Sequence, residues 1–111
     1  MDQNLLKLDG RIVVVSGAAG GGIGTTLTRM LAEAGATVIG VSRSQSNIDT
    51  HLAPLAARGL PVVPLAADAS TDEGVAATME LVRRTKGPLH GLVNVAGGAT
   101  GGGRTVGRDG T

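Results

Sequence analysis

Apolar positions along the chain fall into blocks that predict alternating strands and helices. Ile12–Val15 is a continuous β-branched run, which is typical of a strand buried on both faces of a parallel sheet. A glycine-rich stretch follows it. Apolar residues then recur at helical spacing from Ile23 to Ala34, and Gly35 occupies the position that ends a helix. Because Thr37–Val41 predicts a second strand, this part of the chain forms one β-α-β unit, and the fold class is α/β.

A second unit follows, and prolines mark it. Asn47–Arg58 has helical spacing, but Pro54 falls inside it and is expected to kink the helix or delay its start. Pro61–Leu65 predicts a third strand. Because Pro64 has no N–H to donate to a ladder, this strand is expected at the edge of the sheet.

The remainder of the chain predicts one more helix and one more strand. Ser70 and Glu73, three residues apart, have the pattern of a capping box, and the helix they open continues to near residues 86–88. Leu89–Val93 predicts the fourth strand. We therefore assign residues 1–96 to one α/β domain and residues 97–111, which are rich in glycine, to a flexible tail.

Composition excludes several classes of function. The chain has 111 residues and fits one domain. It has no cysteine, so disulfides and catalytic thiols are excluded, and its net charge of +1 gives no electrostatic case for nucleic acid. There is no apolar run of about 20 residues and no basic-then-apolar N-terminus, so we expect no membrane partner and a cytoplasmic location. His51 and His90 have no spacing that suggests a metal or a nucleophile.

The segment Ser16–Gly24 lies between the first strand and the first helix, where a glycine loop can bind phosphate. A helix N-terminus presents unpaired N–H groups, and glycines allow a diphosphate to approach the backbone closely. The alternative is a turn in an α/β domain that binds no nucleotide. The stretch fits neither G-x-G-x-x-G nor a P-loop, since no Lys-Ser or Lys-Thr follows the glycines.

The loop resembles the T-G-x-x-x-G-I-G loop of short-chain dehydrogenases/reductases. Ser16-Gly17 and Gly22-Ile23-Gly24 match its two ends, with four residues between Gly17 and Gly22 where the family pattern has three. Asp68-Ala69 resembles the family's adenine-binding Asp, and Asn94-Val95-Ala96-Gly97 resembles its Asn-Asn-Ala-Gly motif, with Val95 in place of the second Asn. Taken singly, Asp68 could be a turn or cap residue and Asn94 a strand-end turn.

The resemblance implies a Rossmann-like, three-layer αβα fold with a partial doubly wound parallel sheet of order 3-2-1-4. It also implies that the domain over residues 1–96 binds a dinucleotide cofactor. The second strand ends at Ser42-Arg43, where an NAD-binding domain has an acid, so NADP is favoured over NAD unless Arg43 is merely a solvated surface residue. The implied cofactor contacts are Gly17, Gly22, Ile23 and Gly24 to the pyrophosphate, Ser42 and Arg43 to the ribose phosphate, Asp68 and Ala69 to the adenine, and Asn94, Ala96 and Gly97 to the inner ribose.

The family's catalytic Ser and Tyr-x-x-x-Lys are not matched, because the chain has no tyrosine and ends before a fifth strand. We expect the cofactor-binding half of an oxidoreductase that moves hydride between NADP(H) and a carbonyl or alcohol, inactive as 111 residues. A small-molecule substrate is expected only if the chain continues. The alternatives are a non-catalytic module that binds nucleotide or complements another sheet, and a truncated remnant. The edge of the fourth strand is expected to be open to a partner or to a second copy.

Overall fold

The computed structural model describes residues 8–95. The four strands follow each other in the order that the sequence predicts, and the structure has four helices where three were predicted, because the predicted middle helix is divided. The strands are β1 (Ile12–Ser16), β2 (Thr37–Ser42), β3 (Val62–Ala66) and β4 (Leu89–Asn94). The helices are α1 (Ile23–Glu33), α2 (Gln45–Asn47), α3 (Ala53–Ala57) and α4 (Asp72–Arg84), and a π turn (Ile48–Leu52) joins α2 to α3.

The strands form one parallel sheet in the order β3-β2-β1-β4, which confirms the predicted topology. Within it, Val14 of β1 lies opposite Ile39 of β2 on one side and Leu92 of β4 on the other. Pro64 of β3 lies opposite Gly40 of β2. Strand β3 is at the edge of the sheet, as predicted. The missing N–H of Pro64 is therefore compatible with the ladder.

Two apolar cores lie on opposite faces of the sheet, because alternate side chains of each strand point to opposite sides. On one face, Val13 and Val15 pack with residues of α1 and of the helical segment from Ile48 to Leu55. On the other face, Ile12 and Val14 pack with β2 residues and with Leu81 and Val82 of α4. Helices on both faces give the three-layer αβα arrangement that was expected.

The fully buried positions of helix α1 are small residues, and of its large apolar side chains Leu31 packs partly buried against the core. Its buried positions are Gly24, Thr28 and Ala32, whereas the Ile23 side chain is 77% exposed. The buried Thr28 hydroxyl donates to the Gly24 carbonyl at 2.8 Å, so burial leaves it satisfied. The apolar spacing therefore predicts the helix correctly but identifies its buried face only in part.

The helical segment after β2 differs from the predicted single helix over Asn47–Arg58. It begins at Gln45, because the Ser44 side chain caps it by accepting from the Asn47 N–H at 3.1 Å. It then widens into the π turn, where the Ala53 N–H donates to the Ile48 carbonyl. Pro54 follows within the first turn of α3, where a missing N–H removes little. The proline therefore comes directly after a widened turn.

The predicted capping box of α4 is wrong in its first residue. Thr71 is the N-cap, and its hydroxyl oxygen accepts from the Gly74 N–H at 2.9 Å. The Ser70 hydroxyl donates to Asp68 instead, so it is not available to the helix. The helix ends at Arg84, with Arg83 and Arg84 in its last turn, where the helix dipole favours cations.

Three sequence predictions fall outside the described residues: the tail over residues 97–111 and the two cofactor contacts Ala96 and Gly97. Between residues 8 and 95, none of the helices combines the length and the apolar character needed to cross a bilayer.

Candidate functional site

A cavity of about 820 Å³ lies at the carboxyl ends of the four strands. Ligands of open α/β sheets bind at this edge, near the point where the strand order reverses, which here is between β1 and β4. All nine predicted site residues that the structure describes line this one cavity. They are Gly17, Gly22, Ile23, Gly24, Ser42, Arg43, Asp68, Ala69 and Asn94.

The glycine loop is fixed at its start by both neighbours of β1. The N–H groups of Gly17 and Ala18 donate to the carbonyl of Val41 in β2, at 2.9 and 3.2 Å. Gly17 has φ +83°, and a Cβ there would lie 2.6 Å from the carbonyl oxygen of Val95. Both the backbone conformation and the lack of space therefore require glycine at this position.

A threonine bridges the loop. The Thr25 hydroxyl oxygen accepts from the Gly21 N–H at 2.9 Å, and the hydroxyl donates to the Ala18 carbonyl at 2.7 Å. This pair of bonds spans the stretch that holds one residue more than the family pattern. No motif in the sequence marks Thr25. The available signal was a hydroxyl residue in the first helical turn directly after the glycines.

The N-terminus of α1 opens to the cavity without a side-chain cap. Gly22 is the N-cap residue and supplies no side chain to bond the first N–H groups. Gly22, Ile23 and Gly24 all line the cavity. Unpaired N–H groups and the positive end of the helix dipole make this position suitable for an anion.

Gly24 allows α1 to approach β1 closely. A Cβ on Gly24 would overlap the carbonyl oxygen of Gly17 and lie 3.3 Å from the Cα of Ala18. The helix start therefore rests directly on the start of the loop, which fixes the direction in which its N–H groups point.

Charged and hydroxyl groups gather where β2 and β3 end. Ser42 Oγ accepts from the Ser44 N–H at 3.1 Å, and the side chain of Arg43 is exposed at the cavity rim. Asp68 Oδ1 accepts from the Ser70 hydroxyl at 2.6 Å and from the Ser70 N–H at 2.9 Å. These bonds, together with the positive charge of Arg43, hold the pKa of Asp68 below its usual value. Asp68 is therefore a carboxylate at neutral pH, with Oδ2 available to a donor.

Asn94, the last residue of β4, lines the cavity and lies opposite Ser16 of β1. Val95, which stands where the family motif has a second Asn, donates its N–H to the Ser16 carbonyl at 2.9 Å. Its side chain packs against the core beneath α1 and lies beside Gly17.

An apolar wall of the cavity was missed by the sequence analysis. Val75 and Met79 of α4 and Leu92 of β4 line the cavity and are 49%, 45% and 72% exposed. Val75 and Met79 fall within the helix predicted after Ser70, and no motif marks a role for them in a cavity. Across residues 8–95, no group of three or more His, Asp or Glu side chains could hold a metal ion.

Residues 11–107 match the family model described as short chain dehydrogenase. The chain belongs to the short-chain dehydrogenase family. It is 37% identical over 92 residues to the 3-oxoacyl-[acyl-carrier-protein] reductase FabG of Pseudomonas aeruginosa. The match covers 83% of this chain and 37% of that protein.

Solved structures of the family agree in fold. A short chain dehydrogenase from Mycobacterium smegmatis matches with a TM-score of 0.71 and 34% identity, over 81% of this chain and 38% of that one. A metagenomic short-chain oxidoreductase in complex with NADP matches with a TM-score of 0.70 and 32% identity, over 81% of this chain and 40% of that one. This member of the family spans a little over a third of the length of the FabG protein that it matches.

Proposed function

We propose that this chain is the cofactor-binding portion of an NADP(H)-dependent short-chain oxidoreductase that moves hydride between the nicotinamide and a carbonyl or alcohol. The observation that carries the proposal is the single cavity that gathers the glycine loop, Ser42-Arg43, Asp68 and Asn94 at one edge of the sheet. When bound, NADPH would donate the hydride and NADP+ would accept it, and the residues of this chain would hold the dinucleotide.

Each part of the cavity suits one part of the cofactor. The uncapped N-terminus of α1 suits the diphosphate, since it offers N–H groups and a partial positive charge. Asp68 is ionised and keeps one oxygen available, which suits the adenine amino group as a donor. We propose that Ala69 borders the adenine and that Asn94, with Ala96 and Gly97, borders the inner ribose.

The end of β2 supports a preference for NADP over NAD. A carboxylate at this position would accept from the ribose 2′-OH and repel a 2′-phosphate, but the residue here is Ser42. Arg43 follows at the cavity rim and can bind a phosphate through two N–H groups. The negative charge of Asp68 attracts Arg43 and so favours its presence beside the cavity in the free protein.

The test is a titration of the chain and its Arg43→Ala variant with NADPH and with NADH. Arg43 is exposed, so its contact with the 2′-phosphate should contribute about 1–2 kcal/mol, less than a buried charged pair. We therefore expect Arg43→Ala to raise the Kd for NADPH by about fivefold to thirtyfold. The Kd for NADH should change little. Lys86, an exposed cation at the far end of α4, gives a matched control as Lys86→Ala.

Two outcomes would contradict the proposal. Equal losses of NADPH and NADH affinity in Arg43→Ala would remove the preference for NADP. Failure of the unmodified chain to bind either dinucleotide, together with self-association in sedimentation, would support the alternative of a sheet-complementing module. The outer edge of β4 favours that alternative, because it has no partner strand among residues 8–95 and its Leu92 is 72% exposed.

We also propose that these 111 residues bind the cofactor without transferring hydride, since they contain no tyrosine to exchange a proton with the substrate oxygen. The complete lack of cysteine is consistent with the cytoplasmic location that we propose.

A further inference from the structure

We propose that His51 is a positioning residue that holds the glycine loop in the shape needed to receive the cofactor diphosphate. The inference rests on the proposed dinucleotide function. Its evidence is the contact between the imidazole ring and the middle of the loop.

The ring of His51 lies directly against Gly21. Gly21 has φ +83°, and a Cβ built on it would lie 2.9 Å from Cε1 and 3.0 Å from Nε2 of His51. The ring edge therefore occupies the space that a side chain at residue 21 would need. The positive φ favours glycine at this position, and a larger residue would also displace the His51 ring from the loop.

The π turn brings two successive side chains to the loop. Leu52 is fully buried, and a Cβ on Gly40 would lie 2.9 Å from Leu52 Cδ1 and 3.2 Å from the Cβ of Ala18. Leu52 therefore packs near the start of the loop while His51 packs against its middle. The widened bond from Ala53 N–H to the Ile48 carbonyl accompanies this placement, and such turns often occur at functional sites.

The loop needs support at this point because little else restrains it. Gly20 and Gly22 have nothing within 4 Å of their Cβ positions, and both line the cavity. A run of three glycines has a large backbone entropy to lose when a ligand binds. Thr25 bonds the Gly21 N–H, and the His51 ring packs against the Gly21 Cα. The two contacts together fix Gly21, so part of that entropy is lost before the ligand arrives.

The test compares a ligand that contains the diphosphate and the nicotinamide riboside with one that lacks both. NADPH carries them, whereas adenosine 2′-monophosphate carries only the adenine, ribose and 2′-phosphate. We expect His51→Ala to raise the Kd for NADPH by about fivefold and to change the Kd for adenosine 2′-monophosphate by less than about twofold. His51→Phe keeps a flat ring and should restore most of the NADPH affinity. The other histidine provides the control as His90→Ala, since His90 is exposed on β4 and does not line the cavity.

A ligand-free measurement separates this inference from the proposed function. Backbone ¹⁵N relaxation of residues 19–22 should show greater motion in His51→Ala than in the unmodified chain or in His90→Ala. If the unmodified chain binds no NADPH but the loop still loosens in His51→Ala, the proposed function fails and the positioning role stands. Unchanged loop motion would overturn the inference, as would equal loss of both ligands, or a His51→Phe variant that binds as weakly as His51→Ala.

Discussion

Gly24 offers the sharpest test of how the glycine loop and α1 are built. A methyl group at Gly24 would overlap the carbonyl oxygen of Gly17, which is backbone and cannot rotate away. The helix start or the loop must therefore move. Gly20 lies in the same loop, its φ is not positive, and nothing lies within 4 Å of its Cβ position, so Gly20→Ala is the matched control.

The expected loss of stability follows from two opposing effects. Alanine in place of glycine inside a helix stabilises by about 0.5–1 kcal/mol. Forcing a methyl group onto an immovable neighbour costs typically about 1–3 kcal/mol and more where the obstacle is rigid. Because the obstacle is a backbone carbonyl, we take the upper end of this range and subtract the helix-propensity gain. Gly24→Ala should therefore lose at least about 2 kcal/mol of unfolding free energy. That corresponds to a Tm lowered by roughly 10 °C in a domain of this size.

The assay is thermal unfolding followed by far-ultraviolet circular dichroism, because the chain has no aromatic residue for intrinsic fluorescence. Gly20→Ala should unfold within about 2 °C of the unmodified chain, as an unstrained surface change does. Equal Tm values for Gly24→Ala and Gly20→Ala would show that α1 does not rest on the Gly17 carbonyl. The described geometry of the glycine loop and the start of α1 would then be refuted.

Two further predictions concern the segment between β3 and α4. The pKa of Asp68 in the folded protein is lowered from its ordinary value of 3.8. Its negative charge therefore stabilises the fold at pH values above 3.8, and this contribution is lost as the pH falls through the pKa of the folded protein. Asp68→Asn should therefore have a lower Tm than the unmodified chain near neutral pH. The difference between the two Tm values should disappear when thermal unfolding is repeated at successively lower pH. A difference that stays constant with pH would contradict this prediction. Thr71→Ala removes the N-cap of α4 and should lower the free energy of unfolding, measured in urea, by about 1 kcal/mol. The control Thr26→Ala, at an exposed helical position, should change that free energy little. Equal effects of the two substitutions would show that the cap is not stabilising.

The full strand order was predicted from the family resemblance, whereas the edge position of β3, the burial of β1 and the edge of the sheet that carries the candidate site follow from local chemistry. Pro64 lacks the N–H of an inner strand, and it lies on the edge strand. The β-branched run of β1 is buried on both faces, as such a run predicts. The nine described site residues share one cavity because the carboxyl ends of parallel strands meet at one edge of the sheet. Their binding roles stay predictions.

The features that were not predictable depend on contacts between distant residues. Ser70 and Thr71 are equally plausible caps by type, and the choice depends on Asp68, which binds the Ser70 hydroxyl. The π turn does not follow from apolar spacing, since it changes the helical period within five residues. The buried face of α1 consists of small residues because the helix approaches β1 closely, and that distance is set by the Gly17–Gly24 contact. No local pattern encodes it.

The contacts of Gly17 have a consequence for biosynthesis. Its N–H donates to Val41 of β2, and the carbonyl of Val95, directly after β4, occupies the space that a side chain on Gly17 would need. A ribosome releases the loop long before it releases β4. The loop therefore has both contacts only after β4 has emerged, and a dinucleotide that binds the loop in this shape would stabilise chains that include β4 and not shorter nascent ones.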